Sequence, residues 1–211
     1  MDGNNRWSIK KKISKFEAYR LGSQNLLKIT EFLFDNYDIN FISAFALSSN
    51  NLKRDFKSIN ILKKVYNYFI DCLIQKKKIN YTIEIIGDLS FLEKEVIEKT
   101  NLFLNNQKKL KNKLILFINY SGQNDIETTH KNIIKYKYYN NNISDFLSTK
   151  NIPNPDILFR SGGFKRLSNF MLYEIAFTEL FFSKKLWPEI KTSDLKRIIN
   201  NFYKIERKFG Y

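Results

Sequence analysis

Residues 114–120 read LILFINY, a nearly continuous apolar run of strand length that the polar residues Ser121-Gly122-Gln123 follow. Similar runs stand at residues 39–47 (INFISAFAL) and 81–87 (YTIEIIG), and all three are rich in β-branched and aromatic side chains. Such runs are typical of strands that are buried on both faces of a parallel sheet. Shorter strands are predicted at residues 156–160 and 179–183.

Segments with helical spacing of apolar residues separate these strands, and Thr192 or Ser193 is a suitable N-cap for the last of them. The predicted helices cover residues 20–37, 56–78, 90–106, 125–136, 167–178 and 192–209. This alternation predicts an α/β fold with a central, mostly parallel sheet that helices flank, in one domain over residues 1–211. In such folds ligands bind beyond the carboxyl ends of the strands.

The composition favours a packed globular protein, because 43% of the 211 residues are hydrophobic and 16% are aromatic. No apolar run approaches the roughly 20 residues that span a bilayer, and the polar start shows no signal peptide. The single cysteine, Cys72, fits a reducing compartment, and we expect it to be a small buried apolar residue of a cytoplasmic protein. A single histidine, His130, excludes a histidine-rich metal site.

The net charge of +15, from 36 basic and 21 acidic residues, leaves two interpretations open. The first is an anionic partner, such as phosphorylated substrates, an acidic membrane surface or nucleic acid. The second is mutational bias, because abundant lysine and asparagine with only 7 glycines and 3 prolines indicate an AT-rich genome. An RNA-binding protein is a remote alternative, since lysine stripes beside aromatic platforms are absent from the sequence.

The chemically richest segments are the first seven residues, MDGNNRW, and residues 160–169, RSGGFKRLSN. The first combines a carboxylate, a glycine, two amides and a guanidinium that together suit a diphosphate and a hard cation, but at a chain terminus we expect it to fray. In the second, basic residues flank a glycine pair, and a helix is expected to follow, so this segment suits phosphate binding. The alternative is a basic turn with a serine cap.

Glu179 lies in the otherwise apolar sequence IAFTELFF of residues 175–182. A carboxylate there must be paired or metal-bound to avoid a large desolvation cost. Because Mg²⁺ takes one or two carboxylates together with phosphate oxygens and water, Asp2, Glu179 and a diphosphate would form a suitable shell. A salt bridge from Glu179 to a nearby lysine is the alternative.

Taken in order, the polar segments resemble the motifs of the cis-prenyltransferases, the family of undecaprenyl diphosphate synthase. The resemblance extends over essentially the whole chain, and all seven glycines lie in or beside its motifs. The matching segments are MDGNxRW at 1–7, ALSSNN at 46–51, IIGD at 85–88, NYSG at 119–122, PDILFRSGG at 155–163, RLSNF at 166–170, TELFF at 178–182, LWP at 186–188 and ERKFG at 206–210.

The resemblance implies an isoprenyl transferase that condenses isopentenyl diphosphate with an allylic diphosphate, usually farnesyl diphosphate. The product would be a cis-polyprenyl diphosphate such as undecaprenyl diphosphate, a lipid carrier for cell-wall synthesis. It also implies Mg²⁺ and a homodimer in which residues 207–210 reach the partner's site. With the basic charge, the lipid product suggests peripheral association with the inner face of the membrane. A catalytically silent subunit of the same fold is the alternative.

The resemblance also implies roles for individual residues. Asp2 assists departure of the diphosphate and binds Mg²⁺ with Glu179, while Asn51 orients the proton transfer, because a neutral amide is a poor base. The residues implied to bind substrate are Gly3, Asn4, Asn5, Arg6, Trp7, Lys15, Tyr19, Ser48, Ser49, Asn50, Leu52, Arg54, Arg160, Arg166, Leu167 and Ser168. The apolar faces of the helices at 20–37 and 56–78, with the strand at 39–47, suit a tunnel for the growing chain.

The sequence departs from the family pattern at six positions of the predicted site: Lys15, Tyr19, Asn50, Leu52, Gln123 and Phe164. These changes remove the planar guanidinium group of an arginine, a carboxylate or an aromatic ring, and we expect them to lower the affinity for substrate. The retained residues favour an active enzyme: Asp2, Arg160, Arg166, Ser168 and Glu179. The pattern also places a strand before the aspartate, so we expect Met1 to be an internal methionine of a longer protein.

Overall fold

The computed structural model describes residues 1–53, 55–138 and 142–208. The backbone forms two compact units. Unit 1 comprises Met1–Tyr37, Asn154–Arg166 and Glu174–Tyr211, and unit 2 comprises Asp38–Pro153 and Leu167–Tyr173. Because both units consist of discontinuous segments, no linear boundary divides the chain. Of the predicted site residues, Arg54 lies outside the described residues.

Unit 2 contains a parallel three-stranded sheet of β1 (Phe41–Ser48), β2 (Thr82–Gly87) and β3 (Lys113–Tyr120) in the order β1-β3-β2. The parallel sheet predicted from the sequence is therefore confirmed. Leu114 and Phe117 of β3 are completely buried, as expected for a strand with a neighbour on each side. The expectation that all three long strands are buried on both faces is wrong for β1 and β2, whose residues are mostly half-buried.

The helices of unit 2 are α3 (Phe56–Gln75), α4 (Lys94–Asn106) and α5 (Gly122–Tyr136). Side-chain caps fix two of their starts: Asp55 accepts a hydrogen bond from the Ser58 N–H, and Ser121 accepts one from the Asn124 N–H. Helix α4 begins four residues later than predicted, since the Asp88 carboxylate accepts hydrogen bonds from the backbone N–H and hydroxyl of Ser90 and holds that segment as a turn. Cys72 on α3 is half-buried rather than buried.

Unit 1 contains α1 (Asn4–Lys11), α2 (Lys15–Asn36), α6 (Thr192–Phe202) and a parallel pair of strands, β4 (Ile157–Arg160) and β5 (Glu179–Phe182). The five strands of the described residues therefore form two parallel sheets. The expectation of a frayed start is wrong, because residues 4–11 form a helix whose first turn closes with a 2.8 Å hydrogen bond from the Trp7 N–H to the Gly3 carbonyl.

The predicted helix at residues 167–178 is absent, and the segment is a series of turns. Ser168, Asn169 and Met171 adopt φ values of 54°, 66° and 43°, which a right-handed helix excludes. Within unit 2, Asn169 instead caps α5, because its carbonyl accepts a hydrogen bond from the Gly122 N–H at 2.9 Å and its side-chain oxygen accepts one from the Gln123 N–H at 2.8 Å.

Helix α6 also ends earlier than predicted, at Phe202 rather than residue 209. In the part of the chain that the structure describes, the helices are too short or too polar to cross a membrane.

Candidate active site

The carboxylate of Asp2 lies between two arginines in unit 1. One oxygen accepts a hydrogen bond from Arg160 Nη2 at 3.0 Å, and the other accepts one from Arg6 Nη2 at 3.3 Å. The backbone of Asp2 is held independently of this side chain: its N–H donates to Ser161 Oγ at 3.1 Å, and its carbonyl accepts from the Trp187 N–H at 2.9 Å. The position of the carboxylate is thus fixed at both its backbone and its charged end.

The ionisation of Asp2 follows from these contacts. Burial alone would raise its pKa, but the hydrogen bond and charge of Arg160, together with those of Arg6, outweigh burial and hold the pKa below its ordinary value. With 32% of the side chain exposed, its oxygens also remain accessible. Asp2 is therefore an ionised carboxylate at neutral pH that can accept a cation.

The glycine pair after β4 allows Asp2 and Arg6 to approach the backbone. A Cβ on Gly162 would lie 2.6 Å from Arg6 Nη2 and 3.1 Å from Asp2 Cγ, and its φ of 88° is itself unfavourable for any other residue. Gly163 has a similar φ of 85°. Close packing around the carboxylate therefore explains Gly162, whereas Gly163 is explained by its φ alone. In the described part of the chain, no helix directly follows the pair to bind phosphate at its N-terminus.

A third arginine completes the cluster, because Arg160 Nη1 donates a hydrogen bond to the Arg166 carbonyl. The guanidinium carbons of Arg166, Arg6 and Arg160 lie 4.3, 4.9 and 6.0 Å from the ring centre of Phe164. Three cations thus surround a single ring, and the Asp2 carboxylate pairs with two of them. Guanidinium groups bind phosphate oxygens in pairs of parallel hydrogen bonds, so this cluster suits a diphosphate.

Helix α1 presents polar atoms that lack partners among the described residues. The side-chain oxygens of Asn4 and Asn5 and the indole nitrogen of Trp7 are buried without a hydrogen bond. Leaving such groups unpaired costs about 1–3 kcal/mol each. The described residues do not account for these three atoms, and the role of Asn4, Asn5 and Trp7 in substrate binding stays a prediction.

Lys15 and Tyr19 lie at the start of α2 and one turn apart, so they share a face of the helix. The N-cap of α2 is Ser14, whose side chain accepts a hydrogen bond from the Glu17 N–H at 3.1 Å. Both substitutions from the family pattern therefore occupy a regular helix of unit 1.

In unit 2, the register of β1 shifts between Phe45 and Leu47 and again before Ser48, and the chain then enters a short 3₁₀ helix, Ser49–Lys53. This helix carries the predicted residues Ser49, Asn50, Asn51 and Leu52. The side-chain oxygen of Asn51 accepts hydrogen bonds from the N–H and hydroxyl of Ser48, at 3.0 and 3.1 Å. Since its acceptor is occupied, Asn51 offers its amide N–H groups and is suited to orient a partner rather than to accept a proton.

Ser168 is exposed, whereas Leu167 is half-buried. The φ of 54° at Ser168 is held by its neighbour Asn169, whose side-chain and backbone oxygens cap α5. The strained backbone of this predicted substrate residue is thus stabilised by a helix cap of unit 2.

The strand register separates Glu179 from Asp2. Glu179 pairs with Ile157 at the first position of β5, whereas Arg160 pairs with Phe182 at the last, three residues or roughly 10 Å farther along the strands. Glu179 is half-buried and, within the described residues, has neither a lysine partner nor a hydrogen bond to its carboxylate. Glu179 thus lies at the opposite end of the strand pair from Arg160, the partner of Asp2, and a magnesium shell with both carboxylates stays a prediction.

Comparisons with known proteins show the family of this chain. The family model Prenyltransf, which describes undecaprenyl diphosphate synthases, matches residues 1–210. This chain belongs to the undecaprenyl diphosphate synthase family. It is 33% identical to the isoprenyl transferase of Rickettsia typhi over 220 residues, covering 100% of this chain and 95% of that protein.

Two further relatives differ in the substrate that their names state. A ditrans,polycis-undecaprenyl-diphosphate synthase of Buchnera aphidicola, (2E,6E)-farnesyl-diphosphate specific, is 31% identical over 100% of this chain and 88% of its own length. The crystal structure of lavandulyl diphosphate synthase from Lavandula x intermedia, in complex with dimethylallyl diphosphate, matches with a TM-score of 0.89 and 25% identity, covering 100% of this chain and 95% of that one. This similarity confirms the predicted fold of the family.

The predicted site residues of this family member divide between the two units. Unit 1 brings together Asp2, Arg6, Arg160 and Arg166, while unit 2 joins Ser48 to Asn51. Arg207 binds its own chain here, donating hydrogen bonds to the Asp156 carboxylate and the Phe177 carbonyl. From the sequence we expected Phe164 only to remove a charge that the family pattern has at this position. Basic residues stand on both sides of it, and they are the signal from which its ring contacts could have been anticipated.

Proposed function

We propose that this chain is an isoprenyl transferase that condenses isopentenyl diphosphate with farnesyl diphosphate and repeats the addition to make undecaprenyl diphosphate. The observation that carries this proposal is the ionised Asp2 carboxylate within a cluster of three guanidinium groups. The farnesyl-specific relative supports the choice of the allylic substrate. The lavandulyl diphosphate synthase complex supports binding of an allylic diphosphate by this fold.

In the proposed reaction, the bond between the allylic carbon and the diphosphate oxygen breaks, and the electron pair leaves with the diphosphate. The double bond of isopentenyl diphosphate attacks the allylic carbon, and the carbon adjacent to the new bond loses a proton to an oxygen of the departing diphosphate. Arg6, Arg160 and Arg166 would stabilise the negative charge that develops on the departing group, since fixed charges act strongly where water is excluded. Asn51 would orient the proton transfer through its amide N–H groups.

The residues around Asp2 fit a magnesium ion that arrives with the substrate. The described residues contain no group of three or more potential metal-ligating side chains, so a dedicated protein cage is not formed there. Mg²⁺ is commonly held by one carboxylate together with phosphate oxygens and water, which Asp2 and a diphosphate would provide. When bound, the ion supplies positive charge to the diphosphate. We propose Asp2 as its protein ligand, and the role of Glu179 as the second carboxylate stays a prediction.

We propose a homodimer, supported by exposed apolar side chains on unit 1. Phe177, Leu180 and Tyr203 are exposed to 61%, 46% and 69%, and a second copy of the chain could cover them. Sedimentation at micromolar concentration is expected to give about twice the 25.2 kDa mass of the chain. A protein that stays monomeric under assay conditions would contradict the dimer.

We further propose that the protein works in the cytoplasm and binds the inner face of the membrane peripherally. The net charge of +15 favours an anionic surface, and the product is a lipid. Flotation with vesicles that contain anionic lipid tests this proposal, with neutral vesicles as the control. Equal recovery with both kinds of vesicle would exclude an electrostatic association.

The decisive assay measures incorporation of labelled isopentenyl diphosphate into lipid in the presence of farnesyl diphosphate and Mg²⁺. We expect a polyprenyl product whose length is read by chromatography. If the folded chain makes no product while it still binds inorganic pyrophosphate, the catalytically silent subunit becomes the better conclusion.

A further inference from the structure

Phe164 is an exposed aromatic residue at the centre of a group of cations. Its side chain follows the glycine pair, and 42% of its surface is accessible to solvent, so apolar burial explains its position poorly. The guanidinium carbons of Arg166, Arg6 and Arg160 all lie within 6.0 Å of its ring centre. A cation at this distance is attracted by the negative face of an aromatic ring.

The ring matters most for Arg166. Arg160 and Arg6 both pair with Asp2, whereas the Arg166 side chain forms no ion pair within the described residues. Its observed partner is the Phe164 ring at 4.3 Å, the shortest of the three distances. The ring therefore provides Arg166 with an attraction that no carboxylate supplies here.

An aromatic ring and a carboxylate differ in which parts of a neighbouring guanidinium group they leave available to a ligand. A carboxylate would neutralise one guanidinium and occupy its N–H donors. A ring attracts the guanidinium through its face and leaves both the charge and the in-plane N–H donors available. Three like charges are thus brought close together, and Asp2 pairs with two of them.

We propose that Phe164 is a positioning residue whose ring holds Arg166, Arg6 and Arg160 as a preformed receptor for the diphosphate group of the substrate. The inference rests on the proposed function only for the identity of that ligand. Because the arginine side chains are ordered before binding, less conformational entropy is lost when a diphosphate arrives. Binding should then depend on the electron density of the ring as well as on its size.

The test replaces Phe164 in the full chain with phenylalanine that carries one, two or three ring fluorines. Each fluorine weakens the negative ring face with little change in shape. The probe is inorganic pyrophosphate, and its affinity is measured by titration calorimetry. We expect affinity to fall with each fluorine, by roughly three- to tenfold for the trifluoro ring, as the strength of such contacts implies. Phe164→Trp should retain the affinity for pyrophosphate, and Phe164→Leu should lower it as much as the trifluoro ring does.

The matched control places the same analogues at Phe103, a half-buried residue of α4 in unit 2, where affinity should not change. Affinity at Phe164 that is independent of fluorine number would overturn the inference. An increase would also overturn it, because the ring would then compete with the anion for the arginines. The inference is also overturned if the chain with ordinary phenylalanine at position 164 does not bind pyrophosphate. If the fluorine dependence is found without incorporation of isopentenyl diphosphate, the positioning role stands and the proposed function fails.

Discussion

Gly22 of α2 packs directly against the side chain of Asn4 in α1. A Cβ at Gly22 would lie 2.3 Å from Asn4 Oδ1 and 3.2 Å from the Trp187 ring, and the Gly22 carbonyl accepts a 2.8 Å hydrogen bond from Trp187 Nε1. Glycine normally weakens a helix by about 1 kcal/mol relative to alanine. Its presence here therefore reflects the close approach of the helix that carries the predicted site residues Asn4, Asn5, Arg6 and Trp7.

Gly22→Ala is expected to destabilise the protein despite the better helix propensity of alanine. Overpacking against Asn4 should lower the free energy of unfolding by roughly 1–3 kcal/mol, as measured by chemical denaturation. Lys28→Ala, at an exposed position of the same helix, is the control and should change the value by less than about 0.5 kcal/mol. An alanine variant more stable than the parent would show that α1 can move away without cost.

Asp2→Asn is expected to lower turnover by at least about a hundredfold, because the carboxylate is the proposed ligand and charge partner of the site. The fold should be retained, since Ser161 and Trp187 hold the backbone of residue 2. The measurement is incorporation of labelled isopentenyl diphosphate, with circular dichroism for the fold. Asp35→Asn, an exposed aspartate of α2, controls for loss of charge alone. Normal turnover in the Asp2 variant would refute the proposed role.

Asn51→Asp and Asn51→Ala separate the two functions of this amide. The aspartate retains an acceptor for the Ser48 N–H and hydroxyl but loses the amide donors, so we expect near-normal stability with turnover reduced roughly tenfold or more. The alanine loses both and should also be less stable. Steady-state rates and thermal unfolding distinguish these outcomes, with Asn101→Asp on α4 as the control. An undiminished rate in the Asn51→Asp enzyme would indicate that residue 51 accepts the proton.

Asp194→Asn tests an ion pair that stabilises unit 1. The Asp194 carboxylate accepts hydrogen bonds from Lys185 Nζ at 2.6 Å and from the Lys191 N–H at 2.9 Å. Burial alone would raise the pKa of Asp194, but these hydrogen bonds and the nearby charges outweigh it and lower the pKa below its ordinary value. At neutral pH the substitution should cost about 1.5–3 kcal/mol of unfolding free energy.

The pH dependence of that cost follows from the sign of the shift. A carboxylate with a lowered pKa stabilises the fold fully above its unfolded pKa of about 3.9, and this contribution is lost as the pH falls through the folded value. The difference in unfolding free energy between the parent and the Asp194→Asn variant should therefore be constant at neutral pH and shrink at acid pH. A difference that grows on acidification would contradict the assignment.

Much of the secondary structure could be predicted from local sequence. The run at residues 114–120 lies within β3, the fully buried centre of a parallel sheet, because its side chains are apolar on both faces. At residues 167–178 the prediction of a helix was wrong, although the spacing of the apolar residues there is helical. The backbone of this segment is set instead by Asn169, which caps α5, a helix that begins 47 residues earlier at Gly122. Pattern alone cannot reveal a cap that is so distant in the sequence.

By itself, the sequence determined the family, the five strands and their order along the chain, and the residue types that can bind a diphosphate. These properties depend on side-chain chemistry and on periodicity along the chain. Only the tertiary structure decided that Asp2 pairs with Arg160, that Glu179 lies at the other end of the β4–β5 pair, and that Phe164 gathers three arginines. Such relationships depend on strand register and on contacts between residues up to 158 positions apart, where the chain order carries no information about distance.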